Sequence, residues 1–167
     1  MKRRELMRVS HPFAPVYDKN SRILILGSFP SVRSREENFY YGHPQNRFWK
    51  LLAKIYDEPI PQTIEEKKRF LLHHGIALWN VISSCEIENS SDQSIREAVV
   101  NDLQEIFENA DIRAVFVNGK AAYKLYRKYH GKEVHCLPST SPANAAWTIE
   151  RLEKAWEVIR DNTIYQK

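Results

Sequence analysis

The run Arg22-Ile23-Leu24-Ile25-Leu26-Gly27, continuing into Ser28-Phe29-Pro30-Ser31, decides the fold. Its aliphatic residues follow one another with no polar alternation. Both sides of such a strand must face apolar neighbours, the character of a strand inside a parallel sheet covered by helices. Runs at 76–82 (IALWNVI) and 114–118 (AVFVN), and a shorter one at 133–137, read the same way. Helical patterns separate them. In 47–56, Phe48, Leu51, Leu52 and Ile55 stand at helical spacing, with Asn46 placed to cap the first turn. A charged amphipathic helix is expected over 64–74. After a polar loop at 83–94, Ile95, Val99, Leu103 and Ile106 predict another helix. Gly119-Lys120 opens a helix to about residue 129, and 147–159 carries Ile149, Leu152, Trp156 and Ile159 on one face. Strands alternating with helices imply the α/β class, a three-layer α/β/α arrangement around a four-stranded parallel sheet.

At 167 residues the chain is expected to form one domain over 21–167, preceded by an extended, partly ordered arm over 1–20 that holds Pro12 and Pro15. Hydrophobic residues are 43% and charged residues 28%, a composition that folds rather than stays disordered. No apolar stretch reaches 18 residues, and the basic start lacks the apolar core of a signal peptide, so a cytoplasmic protein with no membrane partner is expected, with a monomer as the default. The net charge of +4 suits a polyanionic partner. Two cysteines, Cys85 and Cys136, with no CxxC pair, exclude a four-cysteine zinc or iron–sulfur site within one chain. Cys136, in a strand pattern, reads as a buried free thiol.

In an open parallel sheet, loops leaving the carboxyl ends of neighbouring strands converge on one ligand-binding crevice. Two such loops, 27–31 and 137–142, are rich in Ser, Pro and Gly. Neither 117–121 (VNGKA) nor 27–31 (GSFPS) completes a phosphate loop, a dinucleotide fingerprint or a nucleophile elbow. Downstream of the first loop, Phe48 and Trp49 read as helix core. Tyr40 and Tyr41 stand beside Gly42, where an aromatic face can stack on an extruded base. Asn80 ends the second apolar run with both a donor and an acceptor, suited to reading the edge of a heterocycle or to bonding loop backbone. Ser139, Thr140 and Ser141, between Pro138 and Pro142, form either a phosphate grip or an ordinary turn. A helix expected to start near Asn144 would add its positive end. His73-His74, the basic residues at 67–69 and those between Lys124 and Lys128 read as solvated helix faces.

Four motifs, Leu26-Gly27-Ser28-Phe29-Pro30-Ser31, then Tyr40-Tyr41-Gly42-His43-Pro44-Gln45-Asn46-Arg47-Phe48-Trp49, then Ala77-Leu78-Trp79-Asn80-Val81-Ile82, then Leu137-Pro138-Ser139-Thr140-Ser141-Pro142-Ala143, stand in order at expected strand ends. The pattern resembles the uracil-DNA glycosylase superfamily over roughly residues 23–156, and most of all its hypoxanthine-DNA (DNA-deoxyinosine) glycosylase branch. The second motif is also similar to the mismatch-specific uracil and thymine glycosylases. The resemblance implies a uracil-DNA glycosylase-like fold and damaged DNA as partner. The implied reaction is hydrolysis of the N-glycosidic bond of a deaminated base, leaving an abasic site in base excision repair, with no metal and no cofactor.

The resemblance also implies two departures. Phe29 stands where other branches carry a water-positioning Asp or Asn, and Leu137 stands where the uracil-specific branch carries a His that stabilises the departing base. Asn46 then takes the catalytic place, with Asn38 as the weaker candidate. Tyr41 (or Tyr40) stacks on the base, Asn80 reads it, and Phe29 joins them at the base. In much of the hypoxanthine branch the Asn80 place is Asp, which leaves the base preference open. Ser28, Ser31, Ser139, Thr140 and Ser141 are the expected DNA phosphate and groove contacts, with 140–144 entering the minor groove. The alternatives are a mismatch-type uracil or xanthine glycosylase, and a DNA-binding module that kept the fold without the chemistry.

Overall fold

A computed structural model of the chain describes residues 7–10, 14–29, 39–87 and 96–163. Strand β2 (Ile23–Gly27) is buried along its whole length. It lies between β3 (Ile76–Asn80) and β6 (Ala114–Asn118), and β7 (His135–Leu137) completes a parallel sheet of order β3-β2-β6-β7. The aliphatic run divides by its period of two. Ile23 and Ile25 face one apolar cluster, with Phe48, Leu51 and Leu52 of α1 (Phe48–Ile55), Phe70 and Leu71 of α2 (Ile64–His73), and Leu152, Trp156 and Ile159 of α5 (Ile149–Asp161). Leu24 and Leu26 face the other, with Ile106 of α3 (Gln104–Asn109) and Ala122 and Tyr126 of α4 (Lys120–His130). One run of sequence thus anchors both helical layers. Among the described residues no helix is long and apolar enough to cross a membrane.

Several expectations are corrected, among them the polar loop at 83–94, whose first residues belong to a strand. The segment 95–106 is not one helix: Arg96–Val100 is strand β5, paired antiparallel with β4 (Ile82–Ile87), which in turn pairs with β1 (Met7–Ser10). The apolar residues do recur at helical spacing, but β-branched Val99 and Val100 suit a strand and the edge of β4 offers a ladder, so pairing overrides period. Leu103 and Ile106 still reach the core. The last helix begins at Ile149, capped by Thr148 Oγ1 accepting from the Arg151 amide at 3.2 Å, so its positive end does not sit at Asn144. Cys136 is exposed, because β7 is a three-residue edge strand rather than a covered one. His74 also departs from the expected solvated face, with its side chain only 15% exposed.

Ala14 and Val16, within the segment expected to be an arm, are tied to the body. Val16 exchanges backbone hydrogen bonds with Leu78 at 3.0 and 2.9 Å and so covers the open edge of β3. Tyr40 donates its hydroxyl to the Ala14 carbonyl at 2.9 Å. Trp156 joins the core to the crevice: fully buried and edge-on to Phe48, it donates Nε1–H to the Pro138 carbonyl at 2.9 Å. Trp156→Ala is expected to cost about 3–5 kcal/mol of unfolding free energy in urea titrations, the range for emptying a large aromatic site.

Candidate active site

All four parallel strands deliver their following loops to one edge of the sheet, and the site is built where those loops meet. Gly27 closes β2 directly beside Asn80, its partner in the ladder. A Cβ on Gly27 would stand 2.7 Å from Asn80 Nδ2 and 3.0 Å from the Tyr41 hydroxyl, so only glycine lets these two polar ends converge. Asn80 is 4% exposed, and its backbone carbonyl accepts from Asn101 Nδ2 at 2.9 Å. The Asn101 amide donates to Val81 O at 2.9 Å, which fixes the corner where the chain passes from β3 into β4. Tyr41 adopts a left-handed backbone, φ 54°, and lays its ring on Phe48 with centroids 4.0 Å apart. That stacking gives the crevice a rigid aromatic wall.

Tyr40 takes no part in this wall. It is 2% exposed, packed edge-on to Phe39, and burial raises its hydroxyl pKa far above the ordinary value. Phe29 is equally a packing residue, 7% exposed in the cluster on the α3–α4 side. Ser28 is nearly buried, and its carbonyl accepts from the Ile82 amide at 3.1 Å. Ser31 and Asn38 lie outside the described residues.

Asn46 is held by its amide oxygen. Oδ1 accepts from the Phe48 amide at 3.0 Å and from the Thr140 hydroxyl at 2.9 Å; the N-cap of α1 is Arg47 rather than the expected Asn46, which stands one residue before it and turns the chain into the helix. Thr140 in turn accepts from Asn118 Nδ2 at 3.0 Å and donates its backbone amide to Asn118 Oδ1 at 3.1 Å. Asn118 ends β6, so the chain Asn118–Thr140–Asn46 ties the ends of two strands to the start of α1. Because the Phe48 donor is a backbone N–H, the orientation of the Asn46 amide is unambiguous. Its oxygen is occupied twice, and among the described residues Nδ2 makes no hydrogen bond, which leaves that NH2 group to meet a ligand or water.

Thr140 is fully buried, which corrects its expected role as a DNA contact: its hydroxyl belongs to the interior network. Its neighbours differ. Ser139 and Ser141 are half-buried, their hydroxyl oxygens accepting from the Ser141 and Ala143 amides at 3.1 and 3.2 Å. A serine oxygen that accepts from backbone still carries an O–H donor for an outside acceptor. Ser139 packs against the start of α4, where a Cβ on Gly119 (φ 97°) would fall 3.0 Å from Ser139 Cβ.

Arg47, which braces this region, escapes sequence reading. Its guanidinium donates to the carbonyls of Ser141 at 2.9 Å, Asn144 at 3.1 Å, Thr140 at 3.4 Å and, in a short contact, Trp147. Its backbone amide adds a second bond to Thr140 O at 3.1 Å. One signal was available: a cation at the amino end of a helix opposes the helix dipole, so it is held there by another partner.

The uracil DNA glycosylase superfamily matches residues 14–161. The chain is 36% identical over 155 residues to a hypoxanthine DNA glycosylase of Methanosarcina acetivorans, spanning 90% of this chain and 98% of that protein. It is 36% identical over 137 residues to a hypoxanthine DNA glycosylase of Methanosarcina barkeri, 79% of this chain and 86% of that one. A solution NMR structure of a candidate uracil DNA glycosylase from Methanosarcina acetivorans superposes with a TM-score of 0.77 at 34% identity, covering 93% of this chain and 98% of that chain.

Arg47→Lys keeps the charge but loses the planar fork of donors. It is expected to lower stability by about 1.5–3 kcal/mol, the worth of one or two charge-assisted bonds, and to speed amide hydrogen exchange selectively across 139–147.

Proposed function

The chain belongs to the uracil DNA glycosylase superfamily, and on that premise we propose that it removes hypoxanthine from deoxyinosine in DNA as a monofunctional, monomeric, cytoplasmic glycosylase. The observation that carries the proposal is the Asn46 amide, clamped through its oxygen by Phe48 and Thr140. The names of the two Methanosarcina relatives support the choice of base.

An amide held in this way is not a base. It donates an N–H to one lone pair of a water molecule and leaves the other lone pair to react. Such a group is sufficient where the bond breaks before water attacks. The C1′–N9 electron pair departs with the base, the sugar becomes an oxocarbenium cation, and water captures C1′ and gives its surplus proton to solvent. Polyanionic DNA flanking the crevice stabilises the cation, so water capture needs no strong general base and a carboxylate at the Phe29 place contributes little to this route. Tyr41, anchored on Phe48, stacks on the extruded base. Asn80 offers a donor and an acceptor to the adjacent N–H and C=O of a lactam edge, which hypoxanthine, uracil and xanthine share. Ser139 and Ser141 present hydroxyl donors to the flanking phosphates, and the net charge of +4 favours the polyanion.

The test is alkaline strand scission after incubation with labelled duplexes carrying one deoxyinosine, deoxyuridine or deoxyxanthosine. Deoxyinosine is expected to be cut, and Asn46→Ala is expected to slow single-turnover cleavage by about 10²-fold, the cost of losing one positioned donor elsewhere. Preferential cutting at deoxyuridine or deoxyxanthosine would make the chain a mismatch-type glycosylase instead. DNA binding with no abasic product at stoichiometric protein would leave only the binding module.

A further inference from the structure

A second cluster of chemistry-bearing side chains stands at the opposite end of the sheet. His73 ends α2, His74 follows it at the C-cap, and Glu58 lies in the turn after α1. Each offers one ligand atom, and the three atoms lie within 4.8 Å of one another. Because α2 leads through Gly75 into the amino end of β3, this cluster sits away from the crevice formed at the carboxyl ends of the strands. Nothing in the proposed glycosylase chemistry uses it.

Two of the three groups are already in place. His74 Nε2 and Glu58 Oε2 are 2.8 Å apart. The His74 ring is stacked on Tyr56, centroids 4.0 Å apart and planes 26° apart, and tilted against Phe70 at 4.8 Å. Tyr56 is itself fixed by its hydroxyl bond to Thr163 Oγ1 at 2.8 Å. The third group, His73, is exposed and meets the His74 ring edge-on at 4.9 Å.

We propose that Glu58, His73 and His74 bind one divalent transition-metal ion of the zinc class, stapling the end of α2 to the turn after α1. Two imidazoles and one carboxylate suit Zn²⁺, Co²⁺ and Ni²⁺, whereas Mg²⁺ and Ca²⁺ require oxygen ligands. Ligand bonds of about 2.0–2.1 Å place neighbouring donor atoms of a tetrahedral site roughly 3.3 Å apart. The His74–Glu58 pair is within about half an ångström of that separation. A side-chain rotation of exposed His73 closes the remaining gap. The carbonyls at the end of α2 add negative potential beneath the ion. The three side chains leave a fourth position for water.

The experiment is titration of the full chain with Co²⁺ and Zn²⁺, following the visible cobalt bands and, separately, thermal unfolding. One Co²⁺ per chain, displaced by Zn²⁺, is expected. With free Zn²⁺ about 100-fold above its Kd, the unfolding temperature is expected to rise by about 5–10 °C. His73→Ala removes an exposed ligand without touching the core, and Glu58→Gln keeps a hydrogen-bond acceptor beside His74. Each is expected to weaken binding beyond the roughly 10–100-fold cost of losing an outer-shell partner, while cleavage of deoxyinosine stays at the wild-type rate. The control His135→Ala is expected to leave binding unchanged. A stoichiometry other than one, or affinity unaltered by His73→Ala, overturns the proposal. Since the readouts are binding and unfolding, failure of the glycosylase assignment would leave them untouched.

Discussion

One guanidinium orders the crevice. Arg47 draws the carbonyls of Thr140, Ser141, Asn144 and Trp147 inward onto its fork, across a sequence distance of 93 to 100 residues. A loop on the edge of a parallel sheet has no ladder to satisfy its backbone, and each carbonyl turned inward without a donor would be costly. The Arg47 side chain meets the Trp147 carbonyl and adds a donor to those of Thr140, Ser141 and Asn144, which also accept from the Arg47, Asn144 and Trp147 backbone amides. With its carbonyls committed inward, the loop presents the hydroxyls of Ser139 and Ser141 at its half-buried surface. Trp156 pins the start of the same loop through Pro138, so both ends of the turn are held from the core side.

The neighbour of Arg47 in the chain gains from the same arrangement. Asn46 begins the segment whose next residue carries the clamp, and its own oxygen is locked by a backbone amide and by Thr140. A positioning group works only when its supporting contacts prevent drift. Here support comes from strand ends, a helix start and a braced loop. On the proposed reading, that rigidity is what lets a neutral amide serve, since it has only to hold a water and not to take its proton. The aromatic wall follows the same logic, because Tyr41 is held in a left-handed backbone and stacked on Phe48 at the start of the helix that Asn46 leads into.

Much of this was legible in the residues. The unbroken aliphatic character of 23–26 could only belong to a strand covered twice, and the alternation of runs and helical patterns led to the right sheet. The loops at 27–31 and 137–142 were legible as crevice-forming because each follows a strand. Other features were illegible for definable reasons. The residues of β5 carry a helical apolar spacing, and only the open edge of β4 makes them a strand. Thr140 looks like Ser139 and Ser141 in sequence, yet its hydroxyl faces Asn46 and Asn118 while theirs do not. Tyr40 and Tyr41 are adjacent and identical, and a left-handed turn sends one into the core and the other over Gly27.

The sequence by itself determined the layering of the fold, the family and the loops that make the site, because periodicity and strand-end motifs are local properties of the chain. Tertiary structure alone decided which of those loop residues face inward as support and which remain at the half-buried surface. It alone brought Arg47 to a loop 93 residues away and His73 and His74 to Glu58. Hydrogen-bond partnership across such distances depends on where strand ends and helix ends meet in space, and no local pattern of residues encodes that meeting.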